Sequence, residues 1–393
     1  MNTDTKMYTI IKLIRSAIYV FIDTFFAVYF FKLCNYEILP ISIYYLVTYI
    51  ALLLAFIVLR TAIKRNVKVP YYRIGISLLA VYLALILLLK DKARDCIILI
   101  AFVKGLSEGM YFYPSNVLDA EKISNETRAK YSGTINIISV LIGIIMPLVI
   151  GFALTYYSYT NIGKLFMLLI ALIFILSFWV KDVRYNSRDF NFKKFKKVIK
   201  THPYLKDIFV IKSLSGFTFG GGSLGVIITL YSVIYFKTYQ NIGILNSALA
   251  ILSLITLSLY AYFVKPKSYQ KIMNLSLIII ILSFLGLIIY PGTITLVIYL
   301  LLGNTFLLFI NMLFSNASVD VTNNIEEIKK EFKAEYHLAL EISLNICRIF
   351  SYVLFLLIGI LGTKDTLYPI IIISLVSLCL LIFKLKKILK KIV

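Results

Sequence analysis

The chain is predicted to fold as an all-α polytopic membrane protein, with twelve transmembrane helices in two six-helix bundles related by pseudo-twofold symmetry. Three observations predict this. Apolar runs recur along nearly all of the 393 residues. Hydrophobic residues make up 60% of the chain and charged residues 15%, with a mean hydropathy of +0.90, whereas a soluble domain carries about 25% charge. A basic polar stretch near the middle divides the apolar runs six and six. Crossing the hydrocarbon core takes about 20 apolar residues of helix. A barrel would show short alternating strands instead, so the spans are helical.

The first segment, 11–31, has no small-residue cleavage site and carries Asp23, so it reads as a retained span rather than a signal peptide. Arg15, Tyr19 and Asp23 follow at i, i+4 and i+8 on one face. Arg15 lies near the segment's end and is expected to snorkel; Asp23 lies near mid-membrane. Segments 40–59 and 74–89 are apolar, and the loop LRTAIKRNVKVPYYR joins them. Segment 96–115 places Lys104, Glu108, Tyr111 and Ser115 on one face. Lys104 and Glu108 are spaced to neutralise each other. Segment 133–154 contains Pro147 between glycines, and segment 165–180 ends beside the interfacial Trp179.

Between the halves runs KDVRYNSRDFNFKKFKKVIKTHPYLKD, residues 181–207. Phe190, Phe192, Phe195 and Val198 alternate with lysines, which predicts a short amphipathic helix lying on the membrane face. Segment 208–236 holds SGFTFGGGSLG, with Gly216, Gly220, Gly221, Gly222 and Gly225. The Gly-Lys-Ser/Thr ending of a phosphate loop is absent. Clustered small residues permit close packing and bending, so this is read as a flexible gate. Lys212, near its start, reads as a snorkelling or gating residue. Segments 242–264 and 272–290 are apolar. Segment 293–315 sets Asn304, Asn311 and Ser315 on one face, and segment 341–361 carries a stripe of Glu341, Asn345, Arg348 and Tyr352. Glu341 is the plain structural partner expected for Arg348. Segment 367–383 leads into the basic tail KLKKILKK. The domain reading is a bundle over 1–180, a linker over 181–207 and a second bundle over 208–393.

The net charge of +22 is placed in a way that argues against nucleic acid. With the N-terminus inside, most of the 41 Lys and Arg fall in inner segments. The outer loops hold Lys32, Lys90, Lys92, Arg94, Lys164, Lys237 and Lys364. This positive-inside asymmetry puts both termini in the cytoplasm, and the basic tail favours anionic lipids of the bilayer. The four cysteines show neither pairing nor metal spacing, so no disulfide framework, metal or cofactor is expected. Abundant Lys, Ile, Asn and Tyr suit a bacterial plasma membrane protein from an AT-rich genome. His202 and His337 are expected in inner loops, away from any membrane-embedded chemistry.

Short motifs give the chain a resemblance. The fourth segment reads AFVKGLSEG, residues 101–109, with Gly105 and Gly109 four residues apart, and Ala101 at an Arg position and Lys104 at a Gln position of the motif it resembles. ETRAKYSG follows, with Arg128 ahead of the fifth segment, and that segment contains GIIMPLVIG, residues 143–151. Ser115-Asn116 and Ser315-Asn316 recur at the ends of the fourth and tenth segments, each followed by an acid, Asp119 and Asp320. These features, with the six-plus-six course, resemble the major facilitator superfamily of secondary transporters. GIIMPLVIG is similar to that family's antiporter motif, with Met146 in a glycine position. The loop between segments 2 and 3 departs from the family, keeping basic character but no Asp. The resemblance implies that helices 1, 4, 7 and 10 line a cavity and that the two bundles rock to give alternating access.

Ionisable groups inside a bilayer cost roughly 2.5–3.5 kcal/mol each on insertion scales and are retained when paired, solvated or needed. Asp23 and Glu108 are therefore the expected proton carriers, tuned by Lys104, with salt bridging to a neighbouring helix as the plain alternative. Tyr19, Tyr111, Asn304, Asn311 and Arg348 are the substrate-contact candidates. Gly220, Gly221, Gly222 and Pro147 are the gating candidates. Tyr19, Tyr29, Tyr44, Tyr45, Tyr49, Tyr111, Tyr113 and Tyr231 lie within the apolar segments, and those at mid-depth would suit an aromatic or cationic compound. The expected function is proton-coupled export of a small molecule by a monomer. Proton-coupled nutrient uptake, a non-transporting sensor or scaffold, and a lipid enzyme are the alternatives. The enzyme would need a carboxylate metal motif or an interfacial His, and neither array is present.

Overall fold

The computed structural model describes residues 3–64, 68–122, 125–182, 191–218, 221–263, 268–328, 332–361 and 368–392. All regular structure among them is helical. The helices are α1 (Thr3–Leu33), α2 (Ile38–Lys64), α3 (Val69–Leu89), α4 (Ile97–Lys122), α5 (Asn125–Tyr156), α6 (Tyr159–Leu176) and α7 (Phe192–Thr201). Then come α8 (Pro203–Ser215), α9 (Ser223–Phe236), α10 (Tyr239–Phe263), α11 (Tyr269–Ile289), α12 (293–324), α13 (Lys333–Leu361) and α14 (Tyr368–Ile392). Taking α8 and α9 as one broken span and setting α7 aside, this is a twelve-span course. Ten helices among the described residues are long and apolar enough to cross a membrane. The ten omit α4, whose apolar run is diluted by Lys104 and Glu108, and the α8–α9 pair, whose halves are each too short.

The chain forms two compact units, one of Met1–Ser187 with Phe236–Ala250 and one of Arg188–Tyr235 with Ile251–Val393. In the first unit α4 is wedged between α2 and α3 by its glycines. A Cβ at Gly105 would stand 2.1 Å from the Thr48 carbonyl oxygen, and one at Gly109 would stand 2.5 Å from Ala55 Cβ. From α3, Gly75 meets the Tyr111 backbone in the same way, at 2.6 Å from its nitrogen. Ser107 Oγ donates to the Gly75 carbonyl at 2.8 Å. With that face packed, the Lys104–Glu108 face of α4 is turned towards α1. The start of α10 joins this unit through α5. A Cβ at Gly243 would lie 2.4 Å from the Pro147 carbonyl oxygen, and Ser247 Oγ donates to the Ile144 carbonyl at 2.6 Å. Pro147, a gating candidate, thus forms a close helix contact together with Gly151.

At one end of the first unit, polar side chains tie the helix termini together. Tyr8 Oη donates to the Ser115 carbonyl at 2.8 Å, and Lys12 pairs with Asp119 at 2.7 Å. The Asp182 carboxylate accepts the backbone N–H groups of Lys68 and Val69 at 3.0 Å, capping α3.

Three expectations are corrected in the second unit. Segment 208–236 is not one helix: α8 stops at Ser215 and α9 starts at Ser223. Gly221 has φ of 86°, in the left-handed region, and a Cβ at Gly222 would stand 1.9 Å from the Gly216 carbonyl oxygen. Neighbouring helices satisfy the freed carbonyls. Tyr352 Oη donates to the Gly221 carbonyl at 3.1 Å, and Ser374 Oγ to that of Phe217 at 3.2 Å, as a break in an apolar span requires. Gly220 lies outside the described residues. The second correction concerns α7. It is an amphipathic helix, but Phe195 and Val198 are buried against protein, Phe195 beside Phe209 and Phe332. The lysines face outward. His337 also sits inside α13 rather than in a loop.

Candidate functional site

α1 winds as α-helix to Tyr19, as a π-turn over Val20–Phe25, and as α-helix again from Phe26. Asp23 rides on the π-turn. α4 presents Lys104 opposite it, and Lys104 Nζ lies 2.8 Å from Asp23 Oδ1 and 2.7 Å from Glu108 Oε1. One ammonium therefore holds both carboxylates. The side chain of Lys104 is 7% exposed and that of Glu108 13%, while Asp23 is 50% exposed. The triad carries a formal charge of −1, so taking up one proton neutralises it.

Arg15 is a correction. It does not snorkel: it is 2% exposed, one of the largest fully buried side chains. Its Cζ lies 3.4 Å from the Tyr111 ring centroid and 4.9 Å from that of Tyr19, and Nη2 donates to Tyr19 Oη at 3.2 Å. The Lys104 ammonium stands 5.2 Å from the Tyr19 ring and 5.4 Å from the Tyr82 ring. Tyr82 and Tyr44 share a hydroxyl hydrogen bond at 2.9 Å. A desolvated cation–π contact contributes about 2 kcal/mol or more, which helps explain a guanidinium at this depth.

The sequence-predicted residues Asp23, Lys104, Glu108, Tyr19 and Tyr111 thus lie together in the first unit. Sequence reasoning passed over Arg15 as a site residue. The available signal was its spacing from Tyr19 on the Asp23 face; what was missing was that Tyr111 from another helix lies beneath it. The candidates in the second unit are more scattered. Asn304 follows a second π-turn, Tyr299–Gly303, and both Asn304 and Asn311 are exposed on α12. Arg348 Nη1 donates to Asn345 Oδ1 at 3.1 Å. Glu341, the partner expected for Arg348, instead lies 4.0 Å from Lys212 Nζ. Gly221 and Gly222 form the helix break already described. No group of His, Cys, Asp and Glu among the described residues would hold a metal ion.

Comparisons with known proteins follow the same lines. The family model described as Major Facilitator Superfamily matches residues 38–327. The chain is similar to the uncharacterized protein YqgE of Bacillus subtilis (strain 168), 26% identical over 366 residues, covering 88% of this chain and 81% of that one. Among solved structures it resembles the nucleoside transporter NupG, with a TM-score of 0.69 and 14% identity over 99% of this chain and 100% of that chain. It also resembles a bacterial homologue of the iron transporter ferroportin in an inward-facing state, with a TM-score of 0.68 and 12% identity over 99% and 100% of the two chains. These structural likenesses show a shared fold.

Proposed function

The chain belongs to the Major Facilitator Superfamily, and on that premise we propose that this multi-pass membrane transporter of a small molecule is driven by protons, through Asp23 and Glu108. The observation that carries the reading is the shared Lys104 ammonium, 2.8 Å and 2.7 Å from the two carboxylates. A carboxylate that gains a proton releases its hold on Lys104, so protonation changes how α1 is tied to α4. Such a coupled change is what links an ion gradient to alternating access. Asp23, with half its side chain exposed, is the entry point for the proton, and Glu108 is the more sheltered acceptor.

The tight seam of Ile144, Pro147 and Gly151 against Gly243 and Ser247 supports export by antiport, because it lies in the stretch that resembles the antiporter motif. The charge asymmetry supports cytoplasmic termini, and the abundance of Lys, Ile, Asn and Tyr supports a bacterial plasma membrane. The structural neighbours include a nucleoside transporter and a homologue of an iron transporter, so nucleosides and iron belong in any substrate panel.

The test is proton flux in proteoliposomes with a pH-sensitive dye inside, a chemically broad compound panel, and Asp23→Asn and Glu108→Gln as variants. The expected outcome is compound-dependent proton movement that disappears in either variant while thermal unfolding stays cooperative. Movement that survives both substitutions, or none across the panel in folded protein, removes the proton-coupling proposal.

A further inference from the structure

We propose that the substrate carries an anionic group, a carboxylate or phosphate, and that Arg15 on its Tyr111 platform is the group that binds it. This deepens the transport reading above and rests on it for the word substrate. The starting point is the allocation of charge in the first unit. Four ionisable side chains stand close together: Arg15, Asp23, Lys104 and Glu108. Both carboxylates are committed to Lys104. No carboxylate among the described residues pairs with Arg15. Its Nε and Nη1 are buried and have no hydrogen-bond partner, and Nη2 has only the Tyr19 hydroxyl. A guanidinium stays protonated in any protein setting and offers five donors, so here most of its donors are unused. The pattern is that of a cation held for something that arrives.

The stacking geometry keeps those donors usable. The Arg15 Cζ stands over the Tyr111 ring, 3.4 Å from its centroid, a separation that only the flat face of a guanidinium reaches without a clash. Its N–H groups point outward in the guanidinium plane, so the ring fixes the group without consuming its hydrogen-bonding edge. Planar forks of this kind match the two oxygens of a carboxylate or phosphate. Tyr19 and Phe112, whose rings are 5.6 Å apart, cover the guanidinium. Phe112 is 38% exposed. Turning Phe112 or Tyr19 aside is therefore the movement that admits the anion.

The same arrangement argues against a cationic substrate. The tyrosine faces that would attract one are already faced by the protein's own cations, Tyr111 and Tyr19 by Arg15, and Tyr19 and Tyr82 by Lys104. A further cation would meet repulsion from both. Once Asp23 or Glu108 takes up a proton, the four side chains sum to +1, which one anionic group neutralises.

The test is binding by purified full-length protein, with no gradient needed, so it succeeds or fails independently of transport. Thermal unfolding is followed with benzoate, benzamide and benzamidine, which share one ring and differ in charge, and with phenyl phosphate, succinate and inorganic phosphate. The expected result is stabilisation by one or more of the anions and none by benzamide or benzamidine. Arg15→Gln abolishes the effect. Arg15→Lys keeps a weakened effect, about tenfold lower in affinity, since it keeps the charge and loses the fork. A shift with benzamidine or benzamide equal to that with benzoate, no shift with any anion, or an anion shift undiminished in Arg15→Gln overturns the inference. If Arg15→Gln fails to fold, the charge preference of the wild type and the weakening in Arg15→Lys decide it. Proton movement driven only by cations or neutral compounds would sink this inference and leave proton coupling standing. Anion stabilisation without compound-dependent proton movement would do the reverse.

Discussion

With Asp23 and Glu108 both drawn to the Lys104 ammonium, removing that one cation strands two acids against an apolar bundle. Breaking a buried pair from one side costs about 3–5 kcal/mol, so Lys104→Met should lower the unfolding temperature more than Glu108→Gln. Glu108→Gln in turn should lower it more than Asp23→Asn, whose side chain is half exposed. Adding Asp23→Asn to Lys104→Met should recover part of the loss. A double variant no more stable than Lys104→Met alone would show that the pairing is not what stabilises the site. At this scale the sequence was readable where contacts are local. Lys104 and Glu108 are four apart on one helix, and their pairing follows from spacing. That Asp23 shares the same ammonium, and that Tyr111 lies under Arg15, depends on which face α1 turns to α4. Helical periodicity in either helix carries no information about that.

The break between α8 and α9 makes a sharper prediction about an element. Gly222→Ala sets a Cβ 1.9 Å from the Gly216 carbonyl oxygen, whereas a Cβ at Gly225 meets nothing within 4 Å. Gly222→Ala should therefore lower the unfolding temperature markedly or abolish expression, and Gly225→Ala should leave both unchanged. Equal tolerance of the two, measured by detergent-solubilised yield and thermal unfolding, would mean that the break is not sterically required. The glycine cluster announced bending in the sequence. It did not announce a gap in the helix, because that gap depends on Tyr352 and Ser374 reaching the freed carbonyls from other helices. In α7 the helical period was readable, while the surface it covers was not. Lipid and the Phe209–Phe332 surface are both apolar, and an amphipathic pattern does not tell one from the other.

Across the whole chain, the distribution of Lys and Arg predicts a topology that labelling can check. A cysteine at Lys237 should react with an impermeant maleimide in intact cells, and one at Lys193 only after permeabilisation; the opposite pattern would invert the assignment. The native Cys34 should interfere little. It is fully buried, and burial pushes its thiol up to about 11 despite the nearby Arg94. Its thiolate is therefore scarce at neutral pH, and labelling in native protein should stay slow until pH rises towards that value, read by mass spectrometry. The twelve-span course was legible because apolar length is a property of sequence alone. The spans that hydropathy undercounts are α4, with its charges, and the broken α8–α9, so departures from a simple apolar helix coincide with candidate sites. The π-turns at Val20–Phe25 and Tyr299–Gly303 add a consequence about chain length. A π-turn takes in one residue more than an α-turn while the helix on either side keeps its phase. Deleting one residue inside Val20–Phe25 would leave a uniform helix still in register. The same deletion between Arg15 and Tyr19 would swing Arg15 by about 100° off its platform. Whether α1 can lose a residue thus depends on where the loss falls, and an insertion or deletion scan of this helix would trace the site without changing a single side chain's chemistry.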